Sequence, residues 1–182
     1  MDPATVDRAR HGDLGAFDEI VRDRIGAVYR LTLAIVGNES DAADATQEAF
    51  VAAWRQIRTL REPERLDAWL ARIAVNSARM LARARRRRFV REIPGLTALA
   101  GTLPAPDSVV GRQAADDARV LAAALDGLGP DQRSILALHH LEGRGVAEIG
   151  LILGIPTGTA KSRLFAARRA LAAALEALER EL

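Results

Sequence analysis

The sequence predicts an all-α fold of two small helical domains joined by a flexible linker, and three observations carry that prediction. Apolar residues recur at helical spacing through most of the chain, and no stretch alternates apolar with polar residues as a half-buried strand would. A single segment, about residues 89–113, collects Pro94, Gly95, Gly101, Pro104, Pro106 and Gly111 in weakly periodic sequence, which marks a linker. The first domain is therefore expected over residues 13–88 and the second over 114–178.

Phe17, Ile20, Val21, Val28, Leu31, Ile35 and Val36 form the core-facing side of one long first helix, with Asp13 placed to cap its start. Gly37-Asn38 breaks it. Ser40 is positioned to cap a second helix, whose first turn carries Asp41 and Asp44 at the positive end of the helix dipole and whose apolar stripe is Phe50, Trp54 and Ile57. The segment TLREPER follows as a loop, because Pro63 interrupts any helix there. A third helix starts near Leu66 and runs into the arginine-rich stretch Arg83 to Arg88. After the linker a helical unit starts near Ala114, breaks at Gly129-Pro130 and resumes from Gln132 to Leu141.

The segment VAEIGLILGIPTGTAKSRLFAARRAL, Val146 to Leu171, reads as a helix-turn-helix. Ile149, Ile152 and Leu153 give the first helix an apolar face, Gly154 stops it and Pro156 suits the start of the next. The second helix places Leu164 and Leu171 seven residues apart on a buried side, with Lys161, Ser162, Arg163, Arg168 and Arg169 elsewhere. Such a helix can lie in the major groove with its donors toward phosphates and bases.

Composition narrows the alternatives. Of 182 residues 49% are hydrophobic and 27% charged, so the chain buries a core, and its net charge of +2 makes charge placement matter more than charge amount. With no cysteine, disulfides and Cys-based zinc sites are excluded. No apolar run is long enough to span a bilayer and MDPATVDRARHGD has no signal-peptide core, so no membrane insertion and a cytoplasmic location are expected.

Two faces of the first domain carry opposite charge. Arg72, Asn76, Arg79 and Arg83 lie at offsets of 4, 7 and 11 along one side of the third helix, while Leu66, Trp69, Leu70, Ile73 and Leu81 supply its core side. Arginines at that spacing track a phosphate backbone, and an Asn among them can pair with an exposed base edge. On the second helix Asp41, Asp44 and Glu48, with Gln47 beside them, form an acidic docking surface for a basic partner. Carboxylates alone do not make a metal or acid/base site, and His11, His139 and His140 are remote in sequence; adjacent His139 and His140 point to different helix faces. No catalytic residue, metal site or cofactor is expected.

Four ordered motifs, DAADATQEAFVAAW, AWLARIAVNSARMLARARRRR, LGPDQRSILALHHLEG and the helix-turn-helix, closely resemble the extracytoplasmic-function (ECF) group of the sigma-70 family of RNA polymerase sigma factors. The resemblance covers nearly the whole chain outside the linker. It implies that Asp41, Asp44, Gln47, Glu48 and Phe50 dock on the core polymerase of a bacterium. It implies that Arg72, Asn76, Arg79 and Arg83, with the loop Arg58 to Leu66, capture and melt the −10 element. Thr159, Lys161, Ser162, Arg163, Phe165, Arg168 and Arg169 would read the −35 element, and an anti-sigma factor would be a further partner. Its rivals are a stand-alone helix-turn-helix regulator, an enzyme using Asp41, Asp44 and Glu48 on nucleic-acid phosphates, and a plain interaction protein.

Some positions depart from the family pattern. Gly145 stands where Ser or Thr usually caps the first helix of the helix-turn-helix, and Gly150 replaces a more usual Ala, each expected to weaken that helix by up to about 1 kcal/mol. Ala166 stands where Arg is frequent, and LREPER lacks the usual Phe and Gly, so promoter sequence does not transfer from relatives.

Overall fold

A computed structural model of the chain describes the backbone of residues 1–91 and 109–180 and the side chains of residues 1–85 and 117–180. Most of the expected linker, residues 92–108, lies outside the described residues. Among the described residues every regular element is helical: α1 (Pro3–Arg10), α2 (Leu14–Val36), α3 (Glu39–Gln56), α4 (Leu66–Arg91), α5 (Val109–Asp126), α6 (Pro130–Leu136), α7 (Val146–Leu153) and α8 (Thr157–Glu179).

Local chemistry sets the boundaries of the first domain. Asp13 caps α2 as expected, its carboxylate accepting from the Ala16 N–H at 3.1 Å. Gly37 ends the helix at φ 83°, a left-handed conformation that suits glycine. The cap of α3 is Asn38 rather than Ser40: the Asn38 side-chain oxygen Oδ1 accepts from the Asp41 N–H at 2.9 Å, which leaves Ser40 inside the first turn. Helix α1 was not anticipated. Its eight residues show little periodicity, and it is held by burial of Val6 and Ala9 against Ala16, Ile20, Ile57, Leu60 and Leu66.

That same cluster pins the TLREPER segment. Short 3₁₀ turns at Ile57–Thr59 and Pro63–Arg65 occupy its two ends, and Leu60 and Leu66 are 4% and 3% exposed. Helices α2, α3 and α4 pack mutually as the first bundle. Across α2 and α3, Thr32 and Thr46 share a buried hydroxyl hydrogen bond of 2.8 Å, and Thr32 also donates to the Ala42 carbonyl at 3.2 Å. Arg24 Nε reaches Asp67 Oδ1 at 2.7 Å and ties α2 to the start of α4.

In the second domain α5, α6 and α7 each pack on α8. Helix α5 begins at Val109, five residues before the expected Ala114. Helix α6 starts at Pro130, with the Gly129 N–H donating to Gln132 Oε1 at 3.0 Å, and passes into a π turn over Ala137–Leu141. The helix-turn-helix forms where the sequence places it, Gly154 ending α7 at φ 66° and Pro156 preceding α8.

The two domains are not separate beads. Helix α6 packs on α2 and α4, α7 packs on α4, and a continuous apolar core runs from Leu31 and Ile35 to Ile135, Leu138 and Ile149. Sequence periodicity assigned each domain its own core, and the joining of the two is a tertiary result.

Candidate functional site

The acidic and basic faces of the first domain stand opposite each other. A cleft of about 890 Å³ between α3 and α4 has Asp44 and Glu48 on one wall and Arg72, Asn76 and Ser77 on the other, with Trp69 and Met80 completing its lining. Alternate turns of two packed helices point their side chains toward the shared groove, so the charge separation read along each helix becomes charge opposition in space. Trp69 is half-buried and packs on both apolar clusters of the domain while still lining the cleft.

The α3 residues divide into three kinds. Asp44, Gln47 and Glu48 are exposed. Asp41 is held: it accepts from the side-chain amide of the cap residue Asn38 at 2.8 Å and from Arg85 Nη1 at 2.6 Å, so it braces the cap and neutralises part of the arginine stretch. Phe50, expected on the docking surface, is only 8% exposed and belongs to the core. Its ring lies under an apolar groove of about 710 Å³ between α2 and α3 lined also by Phe17, Val21, Ile25, Tyr29, Val51 and Trp54. The helical stripe that made Phe50 a core residue in sequence outweighs its neighbourhood to Gln47 and Glu48. Phe17 and Trp54 meet in the same region with ring centroids 5.0 Å apart.

The basic stripe on α4 is not uniformly free. Arg72 and Asn76 are exposed. Arg79 and Arg83, farther along the helix, both pair with Asp131 at the start of α6, Arg83 Nη2 lying 2.8 and 2.9 Å from its two oxygens. Arg79 is 16% exposed and its Nε–H is buried without a protein acceptor. Partial burial opposes ionisation of Asp131, but the charges and hydrogen bonds of Arg79 and Arg83 outweigh it and hold the carboxyl below its usual range. Beyond Arg85 the arginine side chains lie outside the described residues.

On α8 the expected division holds: Lys161, Ser162, Arg163, Phe165, Arg168 and Arg169 are exposed, Thr159 is half-buried, and Ala160, Leu164 and Ala167 face inward. Phe165 is 63% exposed, an aromatic ring among cations on an open helix surface. The sequence missed one neighbour of this surface. The π turn brings the rings of His139 and His140 to a centroid distance of 4.8 Å instead of to different faces, and Arg168 Nε donates to His140 Nε2 at 3.3 Å. Partial burial, the Arg168 charge and His139 together push the His140 pKa down from 6.5.

Gly150 also has a different role from the one expected. A Cβ there would stand 2.9 Å from the Ile155 carbonyl oxygen and 3.6 Å from the Thr157 Cα, so its lack of a side chain lets the turn close on α7. Gly145 caps α7 with no side-chain hydrogen bond, as expected. Among the described residues no group of three or more His, Cys, Asp or Glu could hold a metal, and no helix is long and apolar enough to cross a membrane.

The fold presents an exposed basic helix in a helix-turn-helix and a charge-opposed cleft on the first bundle. Residues 20–88 match the family Sigma-70 region 2 and residues 118–171 match Sigma-70, region 4. The chain is 31% identical to the RNA polymerase sigma-H factor of Pseudomonas aeruginosa over 100% of its own length and 97% of that protein. It is 34% identical to the ECF RNA polymerase sigma factor SigE of Mycolicibacterium smegmatis over 92% of its length, and spans 63% of that longer protein. The sigma factor RpoE of Bartonella quintana, solved in complex with the anti-sigma factor NepR, shares the fold with a TM-score of 0.70 at 24% identity, over 88% of this chain and 96% of that one. The chain belongs to the ECF group of the sigma-70 family of RNA polymerase sigma factors. It is a sigma factor of transcription initiation and not a stand-alone helix-turn-helix regulator.

Proposed function

We propose that residues 13–88 dock on core RNA polymerase and open the −10 element, that residues 114–178 read the −35 element, and that the segment between them connects the two. The observation that carries this division is the opposition of Asp44 and Glu48 to Arg72 and Asn76 across one cleft, with Gln47 exposed beside the acidic wall. An acidic wall suits a basic helix of the polymerase, whereas the adjoining cations suit phosphates and Asn76 suits a base taken out of the stack. The exposed donors of α8, with Phe165 among them, form the second reading surface.

In this reading the chain has no chemistry of its own and works in the cytoplasm with polymerase, and an anti-sigma factor covers its faces when it is inactive. Each domain offers few base contacts, so tethering both to one polymerase multiplies two weak affinities. Run-off transcription with purified core polymerase on pooled genomic promoter fragments tests the division. Wild-type protein is expected to give discrete start sites, Asp44→Arg to lose core binding, and Asn76→Ala to bind core without opening DNA. Wild-type protein that neither binds core nor initiates, where a control sigma factor does both, would refute the proposal.

A further inference from the structure

We infer that His140 is a positioning residue of the second reading surface: its ring accepts the Nε–H of Arg168 and so holds the Arg168 guanidinium ready for DNA. The inference rests on the reading of α8 as the helix that contacts the −35 element.

Three observations carry it. First, Arg168 follows Lys161 and Phe165 at offsets of 7 and 3, on one exposed side of α8. The contact with His140 uses only Nε, at 3.3 Å, and among the described residues no other protein group takes the Arg168 side chain. Both Nη groups therefore stay available to a phosphate or a base edge. An arginine already held at Nε has less rotamer freedom to lose when it binds.

Second, His140 is itself held. The His139 ring meets it edge to face, with centroids 4.8 Å apart and planes at 82°. His139 Nδ1 lies 3.0 Å from the Arg144 carbonyl oxygen, which can only accept, so Nδ1 carries a proton and donates. The Arg144 side chain in turn pairs with Glu148 on α7. A chain of contacts thus runs from the first helix of the helix-turn-helix, through both histidines, to the second.

Third, the backbone is shaped for this contact. In an unbroken α-helix adjacent side chains diverge by about 100°. The π turn over Ala137–Leu141 brings the two rings together instead, and such turns collect at functional sites. The acceptor at His140 Nε2 exists only while that nitrogen is unprotonated. Among the described residues the charges acting on the ring come from Arg168 on α8 and His139 in the turn, and α2, α6 and α7, which also pack on the turn, contribute none. Protonation removes the acceptor and sets a second cation beside Arg168.

The test uses holoenzyme assembled from purified core polymerase and the full chain, with a labelled promoter fragment taken from the strongest start site of the pooled run-off reaction. His140→Phe keeps a ring and removes the acceptor. It is expected to weaken promoter binding about threefold to tenfold near neutral pH, the worth of one net hydrogen bond. In an Arg168→Gln background the same substitution should cost nothing further. His140→Gln, whose amide oxygen can accept from the Arg168 Nε–H, should recover most of the loss. As pH falls from about 7.5 to about 5.5, wild type should lose affinity relative to His140→Gln, which does not titrate.

The inference fails if His140→Phe binds as wild type does, or if it weakens binding equally in the Arg168→Gln background. It fails equally if the affinity of wild type relative to His140→Gln does not change with pH. A relative rise toward acid pH would show the protonated ring meeting phosphate itself and would overturn the positioning role. Should His140→Phe not fold, the pH comparison with His140→Gln decides alone. Arg168→Gln holoenzyme that binds as wild type does would remove Arg168 from the reading surface and the inference with it, whereas wild-type holoenzyme that selects no promoter would overturn the reading of α8 itself.

Discussion

Asp41 at the head of α3 and Arg85 near the end of α4 pair at 2.6 Å across 44 residues of sequence. Asn38 Nδ2 donates to the same Asp41 oxygen, so this carboxylate links the start of α3 to α4, while Asp44, one turn on, meets only solvent and the cleft. Asp41→Ala is therefore expected to lower unfolding free energy by about 1 kcal/mol, the usual net worth of a lost hydrogen bond. Asp44→Ala should stay within about 0.5 kcal/mol of the parent. Urea denaturation of both variants checks the difference, and equal destabilisation would show that the two carboxylates share one structural role.

Phe50 offers a test of core against surface. Its burial beneath the α2–α3 groove predicts that Phe50→Ala destabilises the protein by about 3–5 kcal/mol, as loss of a buried aromatic ring does elsewhere. Phe50→Leu should recover most of that. A stable Phe50→Ala protein defective only in polymerase binding would return the residue to the docking surface.

His140 links protonation to the recognition helix. Its imidazole accepts from Arg168, which requires a neutral ring, and its pKa lies below 6.5 in the folded chain. A base with a depressed folded pKa stabilises the native state above 6.5 and loses that contribution as pH falls through the folded value. NMR titration should place the His140 midpoint below that of a free imidazole, and Arg168→Gln should raise it part of the way, because burial also contributes. A midpoint unmoved by Arg168→Gln would show that the 3.3 Å contact does not govern the ring.

At Gly150 two effects oppose each other. Replacing an in-helix glycine by alanine ordinarily stabilises by up to about 1 kcal/mol, but here the new Cβ meets the Ile155 carbonyl at 2.9 Å. Gly150→Ala is expected to give no gain in thermal stability, and Gly150→Val to lower it clearly. A rise in melting temperature for the alanine variant would mean that the turn relaxes at little cost.

The sequence by itself determined the all-helical class, the long helices and their breaks, the helix-turn-helix with Gly154 at its corner, and the charge of each helix face. These are legible because helix periodicity, caps and left-handed glycines act over a few residues. It did not determine α1, whose eight residues are held by burial against α2 and the Ile57 turn. It did not show that His140 meets Arg168 or that Asp131 sits on Arg79 and Arg83. The two partners in the last pair are 48 residues apart for Arg83, on helices whose approach is set by how Leu31, Ile35, Ile135 and Leu138 fill a common core. Side-chain pairing across such distances depends on packing geometry, and packing is a property of the assembled helices and not of any one segment.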